Sequence, residues 1–289
     1  MIYRQVQNTD LLVSVIGYGG WGAGIKGWPD VSEKKVCESI NEAIKYGINI
    51  FDTSPLYGNG MSEAILGAML SSWRKYVIIS TKFGLVDNGF GKIQHDLSRD
   101  SMLRELDTSL TRLKTDYIDI YTVHFPDGIN SLENVFNELL LLKKNNVIKN
   151  IAASNLSIEN VRIAHSCGVT IIQNKFNLID SNDVNEIIPF CKANSMGYFA
   201  YSPLSQGLFT DKINADFKLS KKDVRRFNPV FSNSNNFSNA LTIKESLAVS
   251  PLYSSLKYVL ETDGVTTALI TMTRPEHVRQ NVKIIESIL

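Results

Sequence analysis

Ile48-Asn49-Ile50-Phe51-Asp52-Thr53-Ser54-Pro55-Leu56-Tyr57-Gly58 is a short apolar run that ends in a carboxylate and enters a turn punctuated by proline and glycine. An apolar run bounded by turn formers reads as a buried strand. Asp52 then falls at its C-terminal end, and Tyr57 lies in the turn that follows. Asn59-Gly60-Met61-Ser62-Glu63 comes next, and a helix is predicted from about Ser62 to Leu70. An acid and a phenol therefore share the mouth of one strand.

The alternation of strand and helix extends in both directions. Upstream, Tyr3 to Gln7 and Leu11 to Ser14 flank Asn8-Thr9-Asp10, which predicts a small hairpin. Val15-Ile16-Gly17 begins a strand that runs into Gly19-Gly20-Trp21-Gly22-Ala23-Gly24. So many glycines let backbone come close to a ligand. Val36, Ile40, Ala43 and Ile44 have helical spacing between a Ser32 cap and a Gly47 stop. Downstream, strands are predicted at Val77–Lys82, Ile118–Val123, Asn150–Ser154, Ile171–Asn174, Gly197–Tyr201 and Ala268–Thr271. Helices are predicted from Asp100, from about Leu132, over Ile158 to Cys167, over Val184 to Ala193, over about Ala240 to Val249, over Leu252 to Leu260, and from Arg274. Gly84 to Gly91 reads as a loop rich in Gly and Asp. The polar segment from Ser205 to Asn239 breaks the rhythm, and a connection that long reads as a lid or a mobile segment.

Strands separated by helices imply a parallel sheet with right-handed crossovers. Eight strands are counted from Val15. They close most simply into a (β/α)8 TIM barrel of the α/β class with an N-terminal β-hairpin, one domain over 1–289, its site on the C-terminal face. A doubly wound open sheet is the alternative. Against it, no Gly-x-Gly-x-x-Gly joins a strand directly to a helix.

The 289 residues are 44% hydrophobic and 20% charged with a net charge of +1, the balance of a globular chain. Such a surface offers no field for nucleic acid or for an anionic membrane. No apolar run approaches the length of a membrane span. Met1 to Gln5 shows no apolar signal region, which points to the cytoplasm. Cys37, Cys167 and Cys191 are odd in number and lack Cys-x-x-Cys spacing, so neither a disulfide framework nor a metal site is expected.

Four titratable groups fall at or just past consecutive strand ends: Asp52 and Tyr57, Lys82, and His124. In a barrel these ends are neighbours. Together they suit one task, giving a proton to a carbonyl oxygen as hydride reaches the carbon. A free tyrosine ionises near pH 10. A cation about 4 Å away favours the phenolate by up to about 4 kcal/mol at an effective dielectric of about 20. Lys82 is expected to be that cation, Asp52 the anchor that keeps it charged, and His124 a neutral donor to the substrate oxygen.

These residues carry a family resemblance. Gly47 to Gly58, with Ser62-Glu63, closely resembles the first signature of the aldo-keto reductase superfamily. Lys82 in Ser80-Thr81-Lys82-Phe83-Gly84 and His124 in Val123-His124-Phe125-Pro126-Asp127 match its other catalytic positions. The resemblance implies a nicotinamide cofactor, Tyr57 as general acid, and Asp52, Lys82 and His124 in the roles above. It implies carboxamide contacts from Ser154, Asn155 and Gln173, and stacking of the nicotinamide ring on Tyr201. Gly20 and Trp21 match a segment beside the reacting carbon, with Asp52 nearby. Ser202, Leu204, Gln206 and Gly207 continue the cofactor strap. Asp223, Arg225, Arg226, Phe227 and Pro229 resemble a stretch of the bacterial, potassium-channel-β-like and sugar-reductase branches.

At the adenosine end the chain departs from the family pattern. The usual Lys or Gly is Thr271, the Ser is Met272, a common Arg position is His277, and the Glu of a Glu-Asn pair is Gln280 before Asn281. A 2′-phosphate binds best to a guanidinium fork, which Arg274 can supply beside a helix N-terminus. NADP(H) is therefore expected, with NAD(H) the alternative. Trp21, Trp28, Tyr57, Phe83, Phe90 and Phe125 are candidates to line an apolar pocket. The substrate expected is a small carbonyl compound, a keto-sugar among the candidates. A cofactor-binding regulatory subunit with little turnover is the competing reading, and a barrel lyase or hydrolase a third.

Overall fold

A computed structural model describes residues 1–87 and 92–289 of the chain. Eight parallel strands close into a barrel: β1 (Ile16–Gly19), β2 (Ile50–Asp52), β3 (Ile78–Phe83), β4 (Ile118–Val123), β5 (Ile148–Ser154), β6 (Ile171–Lys175), β7 (Gly197–Tyr201) and β8 (Val265–Ile270). Each strand pairs with the next in sequence, and β8 pairs back onto β1. The predicted barrel and strand order are both present.

The strands are nearly continuous in apolar burial because helices cover their outer face. Helix starts follow side-chain chemistry. Ser32, Ser98, Ser131 and Ser157 cap the helices Glu33–Lys45, Arg99–Leu113, Leu132–Lys144 and Ile158–Ser166 by accepting a backbone N–H three residues on. An acidic residue stands in the first turn of each, where the helix dipole favours it. The predicted hairpin is Tyr3–Gln5 paired antiparallel with Leu12–Ser14. Val6, Leu11 and Val13 pack with Ile50, Ile120, Ile171 and Phe199, closing the barrel floor opposite the site. Arg4 fastens it by donating to the carbonyls of Val265 and Leu260.

Some elements differ from the sequence reading. After Gly84 the strand Leu85–Asp87 pairs antiparallel with Ile93–His95, and Leu85–Asp87 falls where a loop is expected. A 3-10 turn at Asn182–Val184 precedes a shorter helix, Ile187–Ala193. The end of the run read as polar connection belongs to Ser234–Glu245, a helix that starts and ends earlier than predicted. Asn233 caps it through the N–H groups of Asn235 and Asn236, so the asparagines begin a helix rather than fill a loop. Beneath that segment Leu208, Phe209, Ile213, Ala240 and Leu241 form a small core of their own. Lys244 holds its start by donating to the carbonyls of Thr210 and Ile213.

Candidate active site

Strand register brings Asp52 and Lys82 together. Asp52 ends β2 opposite Ser80 of β3, and Lys82 lies two residues further along the same neighbour. Their side chains meet at 2.6 Å, with Lys82 only 1% exposed and Asp52 5%. Lys82 also donates to the Thr53 carbonyl at 2.9 Å. The other oxygen of Asp52 accepts from Ser80 at 2.9 Å and from Gln173 at 2.8 Å. Burial pulls the Lys82 ammonium below its ordinary pKa, and the Asp52 carboxylate opposes that pull. Glu63, fully buried behind the strand, accepts from Thr81 and Arg112.

Tyr57 stands in a turn built against the glycine segment. Gly58 has φ +63°, and a Cβ there would overlap the Gly24 carbonyl. Gly20 donates to the Asp52 carbonyl at 2.7 Å, and a side chain on it would overlap Asp52 and Ser62. These glycines bring backbone close to the Asp52–Gly58 loop itself, where a ligand is expected from sequence. The Tyr57 ring lies 5.2 Å from the Lys82 ammonium and meets His124 edge-on at 6.1 Å. Burial and the Asp52 charge push the Tyr57 phenol well above 10. The expected lowering by Lys82 is not met, because burial raises the phenol and the Asp52 charge adds to it. Burial, then the charges of Lys82 and His95, pulls His124 well below 6.5, so it is neutral at neutral pH, as expected.

Asn155, with φ +59°, donates to the His124 carbonyl at 2.9 Å and accepts from the Tyr201 hydroxyl at 2.6 Å. Ser154 is buried beside it. Gln173 and Asn155 thus tie the positions that the sequence reading gives to a cofactor directly to the four-residue cluster. The geometry of Gln173 toward Asp52 has no sequence signal.

A cavity of about 370 Å³ holds most of the other predicted positions: Trp21, Ser202, Leu204, Gln206, Gly207, Thr271, Arg274, His277, Gln280 and Asn281. The four clustered residues are not in its lining; Trp21 and Ser202, the neighbour of Tyr201, carry the lining toward them along the chain. Met272 is buried instead, its carbonyl accepting from Ser39 at 2.6 Å, and Gly20 lies under the Asp52 loop. Ser202, Ser205 and Gln206 adopt left-handed backbone with φ of 51°, 45° and 56°, a strain that concentrates at ligand sites. Burial, helped by Lys212 and Arg274, lowers the His277 pKa to about 4. Lys212 lines the cavity and is absent from the sequence reading. Its only signal is a cation soon after the predicted strap.

Of the candidate pocket aromatics, Trp21 and Trp28 line the cavity and pack edge-on at 5.1 Å. Phe125 stacks on His124 with ring centres 5.5 Å apart. Phe83 is core, 1% exposed and stacked on Tyr121 at 4.9 Å. Phe90 and the end of the Gly84 to Gly91 loop lie outside the described residues.

The model of the aldo/keto reductase family matches residues 15–289. The chain belongs to the aldo/keto reductase family. It is 30% identical to an aldo-keto reductase of Bacillus subtilis, over 95% of this chain and 86% of that one. It is 31% identical to the NADH-specific methylglyoxal reductase of Escherichia coli, over 95% and 90% of the two chains. The solved glycerol dehydrogenase of Gluconobacter oxydans superposes with a TM-score of 0.83 at 26% identity, over 99% of this chain and 93% of that one. Membership and these relatives make the protein an oxidoreductase of this family. Among the described residues no helix is long and apolar enough to cross a membrane.

Proposed function

We propose that the protein is a cytoplasmic reductase that converts an aldehyde or ketone to an alcohol with NADP(H), Tyr57 giving the proton. One observation carries the reading: the Tyr57 phenol and the His124 imidazole meet edge-on beside a buried Lys82–Asp52 pair. The bound dinucleotide supplies the hydride. The chain's own work is to hold and deliver the proton. Tyr57 keeps its proton at rest, because burial and Asp52 oppose the phenolate. As the carbonyl oxygen gains negative charge it becomes the stronger base, and the proton passes from the Tyr57 hydroxyl to it. The Lys82 ammonium, 5.2 Å from the ring, favours the phenolate left behind. Neutral His124 donates a hydrogen bond to the same oxygen without competing for the proton.

The cavity suits a long anionic cofactor. Lys212 and Arg274 lie in its lining, along with Asp30 and Asp211, and the helix Pro275–Ile288 begins beside Arg274. The side-chain oxygen of Gln206 and the indole nitrogen of Trp28, both on lining residues, are buried with no hydrogen-bond partner among the described residues. Ser154, Asn155, Gln173 and Tyr201 would hold the nicotinamide end. The guanidinium of Arg274 supports preference for the 2′-phosphate. One relative bears the name of an NADH-specific enzyme, so the preference is a live test. The expected substrate class is a hydroxylated carbonyl such as a keto-sugar, suited to the polar strap. Steady-state turnover of a panel of sugars, small aldehydes and ketones, with both cofactors, tests the reading. Turnover with tighter binding of NADP(H) supports it. No turnover of any carbonyl, or equal or tighter binding of NAD(H), would overturn the corresponding part.

A further inference from the structure

Ser54 lies between Asp52 and Tyr57 and is 1% exposed. Its carbonyl accepts from the Tyr57 N–H at 3.0 Å, which sets the turn carrying the phenol. Its hydroxyl oxygen accepts from the Leu56 N–H at 3.2 Å and lies 3.4 Å from Nδ1 of His124. A hydroxyl has one hydrogen and two lone pairs. With Leu56 on a lone pair, the hydrogen is free to point at Nδ1. Among the described residues, Nε2 of His124 has no hydrogen-bond partner and Nδ1 has Ser54 alone. At 3.4 Å the contact is long, as catalytic contacts often are before substrate binds.

A neutral imidazole carries one proton, and the partner of one nitrogen decides which nitrogen holds it. The environment keeps His124 neutral. We infer that Ser54 is a positioning residue for carbonyl reduction: its hydroxyl donates to Nδ1 of His124 and keeps the ring proton on Nε2, the nitrogen left to donate to the substrate oxygen. This rests on the proposed role of His124. Without Ser54 the imidazole has no bond to choose its tautomer, and part of the population presents a lone pair to the substrate oxygen.

The test uses the full chain labelled with nitrogen-15. The sequence holds four histidines, and the signals of His124 are those missing from His124→Gln. Expected in the wild type is a bare Nδ1 and a protonated Nε2, and in Ser54→Ala a shift toward a mixture. A proton on Nδ1 in the wild type, or an unchanged tautomer in Ser54→Ala, overturns the inference. In turnover, Ser54→Ala should lower kcat roughly three- to tenfold with cofactor affinity unchanged. In the His124→Gln background the same change should do nothing more. Independent losses in the double variant also overturn it. Turnover by no form of the protein would count against the proposed function, while the nitrogen spectra still decide the tautomer.

Discussion

Replacing Asp52 by asparagine tests the ion pair on which the site is built. Lys82 lies 2.6 Å from Asp52, and its other acceptor is the Thr53 carbonyl at 2.9 Å. At 2.6 Å and an effective dielectric of about 20, the attraction is about 6 kcal/mol. Desolvation of both ions offsets part of it, and breaking a buried pair from one side costs about 3–5 kcal/mol. Asparagine adds a second difficulty. Gln173 donates to the Asp52 oxygen that Ser80 also reaches, so an amide nitrogen placed there meets a donor unless Gln173 turns. The sign with pH follows from Lys82. Its folded pKa is below 10.5. Between the two values the unfolded chain holds the proton and the folded chain does not, so stability rises with pH there. Asp52 is the largest influence holding the folded value up. Its loss moves the lower edge of that window down, and the deficit of the variant shrinks as pH rises. Urea unfolding of both proteins at about pH 7 and about pH 9.5 reads this directly. A deficit under about 1 kcal/mol at the lower pH, or one of equal size at both, would refute the reasoning.

Four further outcomes follow from the geometry. Gly58→Ala combines a left-handed φ of +63° with overlap on the Gly24 carbonyl, and should cost more than about 3 kcal/mol in denaturant unfolding. Gly168→Ala, at φ +80° in open space, should cost only about 1–2 kcal/mol. Arg274→Ala should weaken NADP(H) roughly ten- to a hundredfold by fluorescence titration and leave NAD(H) nearly unchanged. His277, with a folded pKa of about 4 against an ordinary 6.5, binds its proton more readily in the unfolded chain. Stability is therefore lost as pH falls from about 6.5 toward 4, and His277→Gln should remove about 1–2 kcal/mol of that loss in calorimetry.

The barrel was legible because its parts are local. Ser32 announces a helix start, Gly47 announces its stop, and the strands between are apolar. Three of the four site residues fall at strand ends, with Tyr57 in the following turn, so counting strands was enough to bring Asp52, Tyr57, Lys82 and His124 together. What failed depends on atoms that spacing does not place. The direction of the Tyr57 shift requires knowing that the phenol is buried and that it faces the Asp52 charge. The Ser54–His124 contact joins positions 70 residues apart. The helix at Ser234 hides in asparagines because the cap and the first turn use the same residues a loop would. Met272 had a family position but a core side chain, and Lys212 had the cavity position without a family cue.

Tyr57→Phe tests the central claim most directly. The substitution removes one oxygen from a ring packed beside His124, so fold and cofactor binding should survive. With a carbonyl that the wild type reduces, kcat should fall about a hundred- to ten-thousandfold while the cofactor dissociation constant stays within about twofold. Turnover close to that of the wild type, with cofactor bound equally well, would take the proton away from Tyr57 and contradict the account.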